Sequence, residues 1–151
     1  MLEWMVLPFK RYAEFSGRSR RMEYWSFALL NFLVSFVLMA LLMTSGVPIA
    51  TMGQDPTAMK AAGGILWLVM GLAIIYSFAV LIPGLAVAVR RLHDRDLSGW
   101  WLLGFFVGYM IPLINFFVGI AFLVIMLLPG TPGPNRFGPD PKDPASAEVF
   151  A

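Results

Sequence analysis

The residues best suited to chemistry form two groups. The first is His93-Asp94, which contains the only histidine of the chain. A histidine supported by a carboxylate is the pattern of a general base, with Asp94 or Glu23 as the orienting acid. Residues adjacent in sequence seldom face one another, however. There is no cysteine and no second histidine to complete a metal site. Capping or pairing is therefore the expected role of His93, and neither a catalytic residue, a metal nor a cofactor is expected. The second group is cationic. Arg18 and Arg21 lie three apart and share a face on a helical turn, with Glu23 close behind. Guanidinium groups grip phosphate oxygens in bidentate fashion, which suits a lipid headgroup. The candidate headgroup or partner site is Arg18, Arg21, Glu23, Arg91, His93, Asp94, Trp100, Asn135 and Arg136. The competing reading is charge that only orients the chain in a membrane, with an arginine paired to Glu23.

The elements that must position these residues are unusually apolar. The 151 residues have a mean hydropathy of +0.76 and are 59% hydrophobic. A soluble domain of this size could not hide that much apolar surface. Between Tyr24 and Val89 the only charged residues are Asp55 and Lys60, and between Leu97 and Asn135 there are none. Three apolar blocks result. The first, 24–44, is about 30 Å long as a helix and matches a hydrocarbon core. Tyr24 and Trp25 stand at its start, as in an aromatic belt, and Asn31 and Ser35 share one face for interhelical hydrogen bonding. The second, 65–89, is longer than the core and carries Pro83-Gly84, where a kink is expected. Arg90 and Arg91 close it and are expected to snorkel to the headgroups.

The third block, 100–128, is too long for one straight span, and Pro112 divides it. The basic residues favour a hairpin there. With a hairpin, ten of the eleven Lys and Arg residues lie on one side, the exception being Lys60. By the positive-inside rule that side is the cytoplasm. The expected fold is thus an all-α membrane protein, a small helical bundle of four transmembrane segments at about 24–44, 65–89, 99–111 and 113–128. The alternative has three segments, the third long and kinked. Gly104 and Gly108 form a G-x-x-x-G pair suited to close helix approach.

Residues 1–141 read as one membrane domain, with 142–151 a flexible tail. Met1, Met5, Phe9 and Tyr12 recur at helical spacing, which predicts an N-terminal amphipathic helix, interfacial or packed on the bundle end and broken near Pro8. Ser19 is placed to cap the first span. The stretch 129–144, with six prolines and three glycines, excludes a regular helix, and Asn135, Arg136 and Phe137 mark where it could fold back.

Three polar motifs in order resemble the domain-of-unknown-function 805 family of small bacterial inner-membrane proteins. They are Tyr12-x-x-Phe15-x-Gly17-Arg18-x-x-Arg21-x-Glu23-Tyr24-Trp25; Arg91-Leu92-His93-Asp94 with Ser98-Gly99-Trp100-Trp101; and Pro129-Gly130-Thr131-Pro132-Gly133 with Asn135-x-Phe137-Gly138-Pro139. The resemblance implies a protein of the bacterial plasma membrane, which the apolar blocks make multi-pass, and it supplies no activity, substrate or cofactor. From the residues, the leading expectation is a non-enzymatic membrane protein. Its cytoplasmic arginine-rich face would bind anionic lipid headgroups, a protein partner or a second copy of the chain, and not nucleic acid. A transporter or channel subunit is one alternative, although the blocks hold no ionisable residue of the kind such pathways use. A lipid-modifying enzyme using His93 is the other.

Overall fold

The computed structural model describes residues 1–46, 54, 56–61 and 63–143. Much of the loop after the first block, and the expected flexible tail from 144 onward, lie outside the described residues. Every regular element among those described is helical: α1 (Leu2–Lys10), α2 (Arg21–Met43), α3 (Pro56–Ala61), α4 (Gly63–His93), α5 (Trp100–Tyr109) and α6 (Asn115–Leu127). A single isolated bridge joins Asn135 to Gly138.

The chain divides into two compact units, Met1–Phe27 with Ile82–Ala151, and Ala28–Leu81. The second unit holds most of α2 and α4. These two helices are long and apolar enough to cross a membrane: 23 and 31 residues, or about 35 and 46 Å against a core of about 30 Å. Phe32, Phe36, Trp67, Ile75 and Phe78 are all more than half exposed, as suits a lipid-facing surface. The Tyr76 hydroxyl donates to Asn31 Oδ1 at 2.9 Å, the interhelical bond expected of Asn31. α4 runs unbroken through Pro83 and continues beyond the apolar block, so that Arg90, Arg91 and His93 form its last turn.

The first unit carries the polar end. α1 is continuous through Pro8, contrary to the expected break. Proline costs one backbone donor there, but the helix ends within two residues, so little ladder is lost. Met5 and Pro8 are buried and Phe9 meets Phe27 edge-on at 5.4 Å, while Met1, Leu2 and Val6 face outward.

The third block is two helices, not one. Phe105 packs edge-on against Phe122 at 5.3 Å. Gly108 faces Val118 and Gly119 faces Tyr109. From Phe105–Phe122 to Gly108–Val118 the partner on α6 recedes as the position on α5 advances, so the helices are antiparallel. Chain reversal occurs around Pro112, which lacks a backbone donor and whose ring disfavours the helix interior. At 10 and 13 residues, the arms are about 15 and 20 Å long, shorter than the hydrocarbon core. The single long kinked span is therefore not found, and the helices of spanning length are α2 and α4. Of the G-x-x-x-G pair, only Gly108 is used for close approach: a Cβ there would come within 3.1 Å of Val118, whereas one at Gly104 meets nothing within 4 Å.

Gly108→Leu should therefore force the hairpin apart and lower stability by about 1–3 kcal/mol, the usual range for overpacking, while Gly104→Leu should leave it nearly unchanged. Thermal unfolding of the detergent-solubilised protein distinguishes them, and equal effects would show that the two glycines do not differ in this way.

Candidate functional site

The first, second and third polar motifs meet at one end of the first unit, where α4 stops. The stop is a Schellman arrangement: the N–H of Leu97 bonds to the carbonyl of Leu92 and that of Asp96 to the carbonyl of His93, both at 3.0 Å. Asp96 supplies the left-handed residue, with φ of 58°, a conformation aspartate tolerates better than most. This turn presents Arg90, Arg91, His93 and Asp94 to the neighbouring segments, and all four are buried.

Two carboxylates organise the interior. Asp94 is held between Arg18 and Arg91. Arg18 Nε and Nη2 approach Oδ1 at 3.0 and 2.9 Å, and Arg91 Nη1 donates to Oδ2. Glu23 is held by Arg90 Nη2 at 2.6 Å, by the Ser19 hydroxyl at 2.8 Å and, more loosely, by Arg11 at 3.9 Å. The expected arginine partner of Glu23 was Arg18 or Arg21. The actual one is Arg90, 67 positions away. Ser19 likewise departs from its expected capping role, because its hydroxyl is turned to Glu23 and its backbone N–H donates to the Arg90 carbonyl at 3.1 Å.

Nor do Arg90 and Arg91 snorkel. Both are fully buried, with side-chain exposure of 0%. Their length of stem, read from sequence as reach toward water, is used inward. Arg91 Nε and Nη2 take the carbonyls of Met126 and Leu128 at the end of α6. Trp25 Nε1 also donates to Met126 and Arg21 Nη1 to Leu127, both at 3.2 Å. The final carbonyls of a helix lack intrahelical partners and carry partial negative charge, so cationic donors are well matched to them.

The chain beyond α6 folds back over this cluster, as Asn135–Phe137 suggested. The Thr131 N–H donates to the Asp94 carbonyl at 2.8 Å. Arg18 donates to the carbonyls of Gly133 and Thr131, each at 2.6 Å. Asn135 Nδ2 bonds to the His93 carbonyl at 2.9 Å. Gly130 passes so close to the Asp94 carboxylate that a Cβ would run into it. Asp140 accepts from the backbone N–H groups of Lys142 and Gly133, which hold its carboxyl below the usual range. At the rim, Arg11 pairs with Glu14, holding that carboxyl low as well.

His93 is part of this framework. Nδ1 lies 3.1 Å from the Gly17 carbonyl, which can only accept, so Nδ1 carries the proton. The ring stacks flat on Phe137 with centroids 3.9 Å apart. Gly17 can offer its carbonyl because it adopts φ of 79°. Among the described residues, no group of His, Cys, Asp or Glu is arranged to hold a metal.

Of the nine candidate residues, Arg18, Glu23, Arg91, His93, Asp94 and Asn135 are thus brought together. Arg21 and Arg136 lie at its edge and are exposed, with Arg136 paired to Asp96 at 3.2 Å. Trp100 stands apart, 79% exposed. Arg90, Ser19, Thr131 and Phe137 complete the cluster and were not among the candidates. The doublet Arg90-Arg91 was the available signal for the first of these.

Among the described residues every regular element is helical and two helices are long and apolar enough to cross a membrane, which is consistent with an integral membrane protein. The chain matches, over residues 12–139, the family described as "Protein of unknown function (DUF805)", and it belongs to that family. It is 41% identical to the inner membrane protein YhaH of Escherichia coli (strain K12) over 142 residues, covering 93% of this chain and 98% of that protein. It is 36% identical to the inner membrane protein YhaI of the same strain, covering 93% and 97%. No solved structure matches the chain.

Asp94→Asn removes the charge that two buried guanidiniums share. It should destabilise the protein by about 3–5 kcal/mol, the usual cost of orphaning a buried charge. Arg136→Gln breaks only an exposed pair and should cost about 1 kcal/mol or less. Replacing Arg90 with Met and Glu23 with Leu together should cost less than either change alone. Denaturant unfolding in micelles reads all five variants, the two single changes included.

Proposed function

We propose that this chain is a non-enzymatic, multi-pass protein of the bacterial inner membrane, with both its N-terminus and the 129–143 segment on the cytoplasmic side. We propose further that its cytoplasmic end is a platform for anionic lipid headgroups. α2 and α4 cross the bilayer, and the apolar helices α5 and α6 are inserted beside them as the third and fourth membrane segments. One observation carries the orientation: the segment after α6 is bonded to the turn that ends α4, through Thr131 to Asp94 and Asn135 to His93. The segments before α2, after α4 and after α6 therefore lie on one side. Together with Arg21 at the start of α2 and Arg90 and Arg91 in the last turn of α4, they hold ten of the eleven basic residues, the distribution that the positive-inside rule assigns to the cytoplasm.

In this reading the candidate residues divide by role. Arg18, Glu23, Arg91, His93, Asp94 and Asn135 build the platform, because their polar atoms are engaged with one another and with backbone carbonyls. The headgroups meet the exposed cations Lys10, Arg21, Arg136 and Lys142, each worth about 1 kcal/mol at an anionic surface. Trp100 sits at headgroup level.

A C-terminal reporter active only in the periplasm should be silent, and one active only in the cytoplasm should be bright; the reverse would sink the orientation. Replacing Lys10, Arg21, Arg136 and Lys142 with Gln should lower co-purified anionic lipid several-fold with a much smaller loss of stability than Asp94→Asn, and unchanged lipid retention would remove the headgroup role.

A further inference from the structure

We infer that the α5–α6 hairpin is re-entrant: it enters the bilayer from the end that carries the arginine cluster and turns back inside the hydrocarbon. Its tip would be covered by acyl chains and would not emerge on the far side. The inference rests on the membrane reading above and concerns a different part of the molecule.

Four observations carry it. Both ends of the hairpin are tied to the same place. Trp100 follows the turn that ends α4, and the last carbonyls of α6 are held by Arg91, Arg21 and Trp25. The arms, at about 15 and 20 Å, reach only part of the way through a core of about 30 Å. The tip is apolar where a water-exposed loop would be polar: Met110 is 69% and Leu113 87% exposed, with Ile111 and Ile114 beside them and no charged residue from 97 to 135. Last, the turn is able to exist in lipid. The N–H groups of Met110 and Ile111 bond to the carbonyls of Val107 and Gly108, those of Ile114 and Asn115 to Ile111, and Pro112 has no N–H to satisfy. Irregular backbone is excluded from hydrocarbon because its polar groups go unpaired, and that objection is largely met here.

The hairpin also lies along the membrane part of the unit rather than away from it. Leu85 and Val89 of α4 line an almost entirely apolar open groove of about 590 Å³ together with Leu103, Phe106 and Phe122. A hairpin projecting into the cytoplasm would leave that groove in water.

The chain has no cysteine, so Leu113→Cys creates a single thiol. Spheroplasts and inverted vesicles would each be treated with a membrane-impermeant maleimide, with Gln54→Cys as the reference in spheroplasts and Lys142→Cys as the reference in inverted vesicles. Leu113→Cys should label at least roughly tenfold less than the reference from either side, as expected for a thiol surrounded by hydrocarbon. A nitroxide on the same thiol should be relaxed by oxygen and not by a water-soluble nickel chelate. Labelling from outside at the reference rate would mean that the hairpin crosses, and labelling from inside that it is not inserted; either overturns the inference. If Leu113→Cys fails to accumulate, Met110→Cys gives the same readings. The C-terminal reporter is cytoplasmic whether the hairpin crosses or turns back, so the two experiments can fail independently.

Discussion

Asp94 is the point on which the polar end depends. Its carboxylate is pinned between Arg18, which arrives from the segment before α2, and Arg91, one turn back on its own helix. Its backbone carbonyl receives Thr131 from the segment after α6. One residue thus joins three stretches of chain that are far apart in sequence. An ion pair buried this deeply adds little net stability over an apolar substitute, because desolvation offsets much of the attraction. What it does supply is geometry. A carboxylate has two oxygens and each is assigned a different arginine, so helix α4 cannot rotate or slide without orphaning a charge.

Glu23 and Arg90 repeat the device one turn further in, and Ser19 and Arg11 close it off. Other arginine donors go to backbone carbonyls, of Glu14 before α2, of Met126, Leu127 and Leu128 at the end of α6 and of Thr131 and Gly133 beyond it, while Arg90 Nε stays buried without a partner among the described residues. In a small membrane protein these carbonyls have few other partners, since neighbouring helices offer apolar side chains. Arginine suits the task because its planar fork serves a carboxylate and a carbonyl at once. Lysine, with one compact charge, could not bridge Asp94 and Leu128 as Arg91 does.

The sequence made the helices legible because hydropathy and length are local properties. α2, α4 and the break at Pro112 could all be read from where charge was absent. The fold-back of the 129–143 segment was legible too, from three residues that interrupt a proline-glycine run. The pairing was not. Arg90 and Arg91 at the end of an apolar block look the same whether they point to headgroups or into the protein, and only the arrival of Glu23, Asp94 and Leu128 decides between them. Adjacency also misled for Glu23. The nearby Arg18 and Arg21 seemed its natural partners, yet Arg18 is directed to Asp94 and Arg21 to the Leu127 carbonyl.

This pairing changes what the family motifs mean. The arginine, glutamate, histidine, aspartate and asparagine by which the chain resembles its relatives are largely consumed in holding α2, α4 and the α6 end together. The glycines among them answer to backbone needs: Gly17 turns its carbonyl to His93, and Gly130 leaves room for Asp94. A motif spent on architecture marks a fold without marking an activity. The exposed side chains that lie outside both the junction and the motifs are Lys10 and Lys142 at the rim and the apolar tip of the hairpin. The buried junction fixes where those surfaces begin, because Arg21, Arg91 and Trp25 hold the end of α6, and His93 and Asp94 hold the segment beyond it through Asn135 and Thr131.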